Sequence, residues 1–214
     1  AITSMFSFSL VAQDAAVVEQ LLDNERYESA EAILEKKIST DGVMPDVNYL
    51  LVKTYLEQDK VDEVRDFIAK YNLSNNPDAD PLDRVTYARY LLQKGDKAGA
   101  DEIFKSILEN KKNRKNPSLL MAMAEVNIAE DKGDATQALE WLKVAGDKDG
   151  NNPEINILEG LAYRKLSDAS KAFLAYQQAL KKDRGNVKAH YLLGKIFTAQ
   201  KNVEVYMEHF LKAY

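Results

Sequence analysis

The sequence contains no cysteine, two histidines and a single tryptophan among its 214 residues. The absence of cysteine excludes disulfide bonds, thiolate metal sites and cysteine nucleophiles, although it fits reducing and oxidising compartments alike. No stretch reaches the roughly 18 consecutive apolar residues that a membrane-spanning helix needs. The glycine-rich phosphate loops, nucleophile elbows and metal-ligand spacings of common enzyme classes are also absent. We therefore expect no catalytic residue, no metal site and no cofactor.

Charge is plentiful but balanced, with 29% charged residues, a net charge of −5 and an isoelectric point near 5.2. An apolar fraction of 45% is typical of a folded globular protein. The acidic balance argues against a nucleic-acid partner, whose phosphates require dense Lys and Arg. One basic run, residues 111–115 (KKNRK), falls between two helical segments. We interpret it as a solvated linker.

The five prolines and nine glycines are few, and most of them stand at regular intervals. Four prolines are spaced 36 residues apart, at Pro45, Pro81, Pro117 and Pro153. Each precedes an amphipathic segment, as expected where a proline opens a helix. A second series consists mainly of small residues with spacings of 34, 36, 38, 34 and 34: Ala30, Val64, Ala100, Ala138, Ala172 and Tyr206. Two independent series therefore indicate the same repeat.

Apolar residues three to four apart within each repeat predict two helices rather than strands. Where paired helices cross closely, small residues are needed, and they are present at Ala88, Ala138, Gly160, Ala172 and Gly194. Large aromatic residues should fill the space on either side of the crossing: Tyr55, Phe104, Tyr163, Tyr176 and Phe197. A single helix pair cannot bury its apolar face, so such pairs are expected in arrays.

This pattern resembles the tetratricopeptide repeat family from about Gln13 onward. The resemblance implies an all-α solenoid of about six helix pairs in a right-handed superhelix. The predicted repeats are 13–44, 45–80, 81–116, 117–152, 153–186 and 187–214. Repeat four departs from the family pattern, because Val126 replaces a small residue and the turn at residues 130–134 is about two residues longer. Tyr206 in place of alanine predicts a widened final pair.

In this family the concave surface is lined by first-helix residues, including the residue directly after the small crossing residue. That position gives the row Glu19, Lys53, Arg89, Asn127, Leu161 and Lys195. Arg164 and Lys165 lie one turn beyond the row, and Tyr49 and Tyr191 one turn before it. Basic groups beside aromatic rings suit an acidic extended peptide. The alternative is an ordinary solvated surface, since exposed first-helix residues are polar in any array.

The resemblance implies a non-enzymatic scaffold that binds a partner protein or peptide in its concave groove. The alternative is a structural subunit of a larger cell-envelope complex. The chain ends at Tyr214 inside a predicted second helix without a polar capping helix. Because repeat arrays need such caps, we expect further chain, self-association or another subunit at this end.

Residues 1–12 carry no charged side chain and mix apolar with small residues, whereas the following residues are highly charged. This resembles the end of a bacterial secretory signal with cleavage after Ala12. It predicts a protein of the bacterial cell envelope or periplasm, similar to exported tetratricopeptide repeat proteins. The alternative is a first helix that packs on the array of a cytoplasmic protein.

Overall fold

The structure is a computed structural model that describes residues 14–73, 76–199 and 211–212. These residues form eleven α-helices and one short 3-10 helix (Asn113–Lys115), and none of them lies in a strand. The α-helices are α1 (14–23), α2 (Tyr27–Asp41), α3 (Pro45–Glu57), α4 (Val61–Lys70), α5 (Pro81–Gln93), α6 (Lys97–Glu109), α7 (Pro117–Ala129), α8 (Ala135–Lys148), α9 (Pro153–Lys165), α10 (Ala169–Lys182) and α11 (Val187–Ala199). The prediction of an all-α fold built from helix pairs is confirmed, while the handedness and the limits of the repeats stay predictions.

Some predictions concern residues outside the described ranges. They are the signal-like segment 1–12, the widened pair at Tyr206 and the uncapped C-terminal end, of which only residues 211–212 are described, as helical. Among the described residues, no helix combines the length and the apolar character needed to cross a bilayer. No group of three or more His, Asp or Glu side chains in these ranges is arranged to hold a metal ion.

The four regularly spaced prolines are the first residues of α3, α5, α7 and α9. A proline at this place loses no intrahelical hydrogen bond, and its fixed φ angle already suits the helix. The preceding residue often caps the helix: the side chains of Asp80, Asn116 and Asn152 accept hydrogen bonds from backbone N–H groups of the first turn. Proline and cap together explain where the first helices begin.

The second helices α6, α8 and α10 begin after Asp96, Asp134 and Asp168, whose carboxylates cap the first turn. The second helices α2 and α4 follow Arg26 and Lys60, which provide no side-chain cap. Met44 before α3 provides none either. Among α2 to α11, side-chain capping therefore begins with Asp80 before α5 and continues to Asn186 before α11.

Four turns between paired helices, all but the α7–α8 turn among those described, have a left-handed residue directly before the N-cap of the second helix. Glu25, Asp59, Gly95 and Ser167 have φ angles of 57°, 56°, 84° and 61°. In each turn the next backbone N–H donates to a carbonyl five residues earlier, as in Asp96 to Leu91 at 2.8 Å. This is the Schellman geometry that ends many helices. Glycine is the residue that adopts it most readily, yet it is present only at Gly95 of these four places.

The chain divides into two compact units, residues 1–90 and 91–214. The core of the first unit is built from buried residues of α1, α2, α3 and α4: Val18, Leu34, Leu51, Val52 and Val64. In the second unit, one core cluster joins α9, α10 and α11: Ile157, Ala172, Tyr176, Ala179, Ala189, Leu192, Leu193 and Ile196.

Close packing at the helix crossings follows the sequence pattern. Ala88, Ala138 and Ala172 are fully buried, and Gly160 and Gly194 are buried. A Cβ atom on Gly160 would lie 2.2 Å from the Tyr176 ring. The prediction that small residues allow the paired helices to approach closely is therefore confirmed.

Candidate peptide-binding surface

In the first unit, the basic members of the predicted row are already paired with acidic side chains. Lys53 donates to the Glu19 carboxylate at 3.4 Å, between α3 and α1. The Arg89 guanidinium is 2% exposed and lies 3.8 Å from the Glu57 carboxylate. These contacts reduce the positive charge that Lys53 and Arg89 could offer to a peptide.

Tyr49 is buried, with 6% of its surface exposed. It lies on α3 one turn before Lys53, as predicted, but its ring belongs to the interior of the first unit. This differs from the expectation of an aromatic ring open to a peptide. The physical reason is that α3 is buried over nearly its whole length, including the polar residues Asn48 and Thr54.

In the second unit, the long turn after α7 uses the polar groups of Asn127 and Lys165. Asn127 is fully buried, and its side-chain oxygen accepts a hydrogen bond from the Asp134 backbone N–H at 2.8 Å. The Lys165 ammonium, at the end of α9, donates to the backbone carbonyls of Asn127, at 2.8 Å, and of Glu130. These carbonyls belong to the C-terminal end of α7, where the helix leaves its last carbonyls without intrahelical partners.

The expectation that Asn127 and Lys165 face a peptide is therefore corrected by their contacts. Both side chains stabilise the extended turn of repeat four, which is the departure from the family pattern seen in the sequence. Gly133 completes this arrangement: a Cβ atom there would lie 2.3 Å from the Asn127 carbonyl oxygen. Burial lowers the pKa of Lys165, although the carboxylates of Asp131, Glu130 and Asp134 act in the opposite direction.

Arg164 remains exposed at the end of α9. The neighbouring Tyr176 is buried, which raises the pKa of its hydroxyl to about 12, while the positive charge of Arg164 acts to lower it. Burial raises the pKa because the phenolate loses more hydration than the neutral phenol, and this effect is larger than that of Arg164. Arg164 therefore lies at the edge of the core with its guanidinium still available to solvent.

Tyr191 and Lys195 form a cation–aromatic pair within the predicted site. Both lie on α11, four residues apart, so they share one face of the helix. The Lys195 nitrogen lies 4.7 Å from the centroid of the half-buried Tyr191 ring. Lys195 is exposed. Leu161 of α9 is half-buried and packs against the core cluster that α11 shares.

Contacts between successive first helices were not foreseen from the sequence. Lys188 of α11 pairs with Glu154 of α9 at 3.0 Å, 34 residues earlier, and the Lys53–Glu19 pair spans the same 34 residues. Asn48 donates to Asp83 at 2.8 Å across 35 residues. In the sequence, these contacts could have been found by searching for pairs of complementary polar residues separated by one repeat period. Because α9 and α11 are joined in this way, Leu161 and Lys195, also 34 residues apart, occupy corresponding positions on adjacent helices.

In the second unit, the predicted site residues Arg164, Tyr191 and Lys195 and the row residue Leu161 are exposed or half-buried on α9 and α11. We refer to these four residues as the α9–α11 surface, and its use as a binding site stays a prediction. Asn127 and Lys165 are used inside the unit, and in the first unit Lys53 and Arg89 are paired. Exposed cations such as Arg164 and Lys195 are suited to binding carboxylates, because an ammonium or guanidinium forms charge-assisted hydrogen bonds with them.

Comparison with known proteins identifies the repeat. Two family models described as tetratricopeptide repeat match residues 21–83 and 157–214, which together are more than half of the chain. A search of curated proteins found no match.

Among solved structures, a human IFIT1 dimer with PPP-AAAA has a TM-score of 0.56 at 19% identity, covering 94% of this chain and 49% of that chain. This chain thus spans about half the length of IFIT1, and the likeness concerns the fold alone. Crystal structures of MamA and of TTC0263 from Thermus thermophilus both have TM-scores of 0.47. The MamA structure is 15% identical in sequence and covers 92% of this chain and 92% of that chain. The TTC0263 structure is 16% identical and covers 94% of this chain and 89% of that chain.

Proteins built from tetratricopeptide repeats are generally scaffolds for protein–protein interaction rather than enzymes. This chain belongs to the tetratricopeptide repeat family.

Proposed function

We propose that this protein is a binding scaffold that holds an acidic, extended segment of a partner protein on the α9–α11 surface. The observation that carries the proposal is the exposed Lys195 beside the half-buried Tyr191 ring on a first helix of the repeat array. Arg164 adds a second exposed cation on the adjacent first helix. The surface is partly solvated, so each carboxylate contact contributes about 0.2–1 kcal/mol.

A site-specific photo-crosslinker in place of Tyr191 tests the proposal by attaching covalently to the segment that lies on this surface. The crosslinked protein is isolated from cells that express the full chain, and mass spectrometry identifies the attached segment. The control carries the crosslinker at Leu174, which is 56% exposed on the second helix α10. We expect a defined acidic segment at position 191 and not at position 174. The same products at both positions would contradict the proposal.

Charge reversal then measures the contribution of the two cations. Arg164→Glu together with Lys195→Glu should weaken binding of the identified segment by about tenfold, because two attractive contacts become repulsive. Binding should also depend less steeply on salt, since fewer opposite charges are screened. Isothermal titration at two salt concentrations provides both values, and an unchanged affinity at low salt would contradict the proposed surface.

The proposed setting is the bacterial cell envelope. Its support is the uncharged composition of residues 1–12, followed by a highly charged array. N-terminal sequencing of the native protein after cell fractionation tests it. We expect a periplasmic chain that begins at Gln13, and a cytoplasmic chain that retains residues 1–12 would refute export. The structural-subunit alternative depends on C-terminal residues that are mostly outside the described ranges, and it stays a prediction.

A further inference from the structure

The second unit contains a groove built from second helices rather than from the first helices of the α9–α11 surface. It has a volume of about 510 Å³. The lining residues come from α6, the 3-10 helix and α8: Asp101, Lys105, Leu108, Glu109, Arg114, Gln137 and Trp141. We refer to it as the α6–α8 groove. It does not depend on the function proposed above.

The floor of this groove is aromatic, and Trp141 is 7% exposed there. Trp141 stacks edge to face on the buried Phe104, with ring centroids 5.2 Å apart. Leu108 is half-buried beside it. Val144, one helical turn after Trp141, is 37% exposed and extends the apolar strip along α8. The groove therefore offers a fixed apolar contact for a side chain that enters from outside.

The rim is basic, although the protein as a whole has a charge of −5. Lys105 and Arg114 are exposed, and within the described part of the chain neither has an ion-pair partner. Lys111, Lys112 and Lys115 of the adjoining segment are exposed as well. Among the acidic lining residues, Asp101 is paired with Lys97 at 2.7 Å, which leaves Glu109 as the acidic group that opposes this charge.

The basic segment is fixed in place. The Asn113 amide donates to the Ile107 carbonyl of α6 at 3.0 Å, and the Lys112 backbone N–H donates to the Asn110 side chain at 2.9 Å. These bonds hold the 3-10 helix, and thus Arg114, at the mouth of the groove. Gln137 lines the groove as well, and its buried side-chain oxygen accepts no hydrogen bond from any of the described residues.

We propose that the α6–α8 groove binds an acidic segment of a partner protein that carries an apolar side chain. The apolar side chain contacts Trp141 and Leu108, and the carboxylates pair with Lys105 and Arg114. In this assignment the basic run at residues 111–115 is an electrostatic guide for an acidic partner rather than a solvated linker.

The tryptophan is unique in the sequence, so its fluorescence reports on this groove specifically. The probe is a synthetic peptide of alternating glutamate pairs and leucine residues without tryptophan. It is titrated into the full chain and compared with the same peptide in which glutamine replaces glutamate. We expect a saturable change in Trp141 emission with the acidic peptide and a much weaker response to the neutral one.

Variants then assign the response to the rim. Lys105→Glu with Arg114→Glu should raise the Kd for the acidic peptide by about tenfold or more, because each reversal replaces attraction by repulsion. The matched control, Lys36→Glu with Lys181→Glu, changes the net charge equally at exposed sites on α2 and α10 and should leave the Kd unchanged. Circular dichroism melting checks that both double variants are folded. If the Lys105→Glu, Arg114→Glu variant is not folded, Lys105→Gln with Arg114→Gln replaces it.

Three outcomes would overturn the proposal. A single-stranded oligouridylate that changes Trp141 emission and displaces the peptide would make the groove a nucleic-acid surface. Equal weakening in the control variant would show that the peptide responds only to net charge. No response of Trp141 to the acidic peptide would leave residues 111–115 as a solvated linker.

Discussion

Gly160 shows how one missing side chain determines the packing of a helix pair. It lies in the middle of α9, where glycine alone costs about 0.5–1 kcal/mol relative to alanine. That cost is offset because the fully buried Tyr176 ring of α10 occupies the place of its Cβ atom. The close approach of α9 and α10 therefore depends on glycine at this position.

Gly160→Ala should destabilise the protein by about 1–3 kcal/mol, because the buried Tyr176 ring has no free space into which to move. Gly146→Ala is the matched control, since the added Cβ atom on α8 would lie 3.8 Å from the nearest atom, an Ile155 methyl carbon. That change should stabilise by about 0.5–1 kcal/mol through helix propensity. Urea unfolding of both variants measures the difference, and a neutral Gly160→Ala would contradict the crossing described above.

Lys165→Met tests whether this lysine serves the turn or a ligand. Methionine keeps much of the length and packing of the side chain but cannot donate to the Asn127 and Glu130 carbonyls. Leaving these carbonyls without a donor should lower the free energy of unfolding by about 1–3 kcal/mol. Lys181→Met, at an exposed position of α10, should leave it nearly unchanged. Equal stabilities of the two variants would indicate that Lys165 is not structural.

At the scale of the helices, capping divides the chain. Arg26 stands where Asp96 and Asp168 stand in later repeats, and its φ and ψ of −93° and 58° resemble the −97° and 78° of Asp168. The backbone at Arg26 is therefore ready for a capping side chain that the residue cannot supply.

Arg26→Asn should stabilise the protein by about 0.5–2 kcal/mol, because the amide oxygen can accept from the first-turn N–H groups of α2. Asparagine avoids a further negative charge between Glu25 and Glu28. Arg26→Gln removes the same positive charge without providing a cap and should have little effect. Thermal unfolding of both variants separates capping from charge, and a similar shift for both would contradict the capping argument.

The helix starts and crossings could be read from the sequence because they depend on local rules. A proline opens a helix through its own φ angle, and a small residue marks a crossing at a fixed place in the repeat. The uses of Asn127 and Lys165 could not be read in this way, since the Lys165 contact spans 38 residues and depends on the path of a longer turn. The sequence placed the row on the first helices but could not show which of its side chains had internal partners.

For the whole molecule, the distribution of stability along the chain follows from the nearest-neighbour character of repeat arrays. The helices α2, α3 and α4 lack side-chain caps, whereas α6 to α11 have them. Each missing cap costs about 1 kcal/mol. Ion pairs such as Lys60–Glu31 at 2.6 Å partly offset this in the first unit, but such partly exposed pairs are worth about 0–1 kcal/mol each.

We therefore expect α2 to α4 to open locally more often than α7 to α10. Hydrogen exchange followed by mass spectrometry measures this, since amide protection reports the free energy of local opening. If the free energy of local opening is lower by about 1.4 kcal/mol or more in α2 to α4, their amides should exchange at least about tenfold faster than those of α7 to α10. Arg26→Asn should slow exchange in α2 and leave α7 to α10 unchanged, which ties the difference to capping rather than to burial. Equal or greater protection of α2 to α4 in the wild-type chain would show that the ion pairs of the first unit outweigh its missing caps.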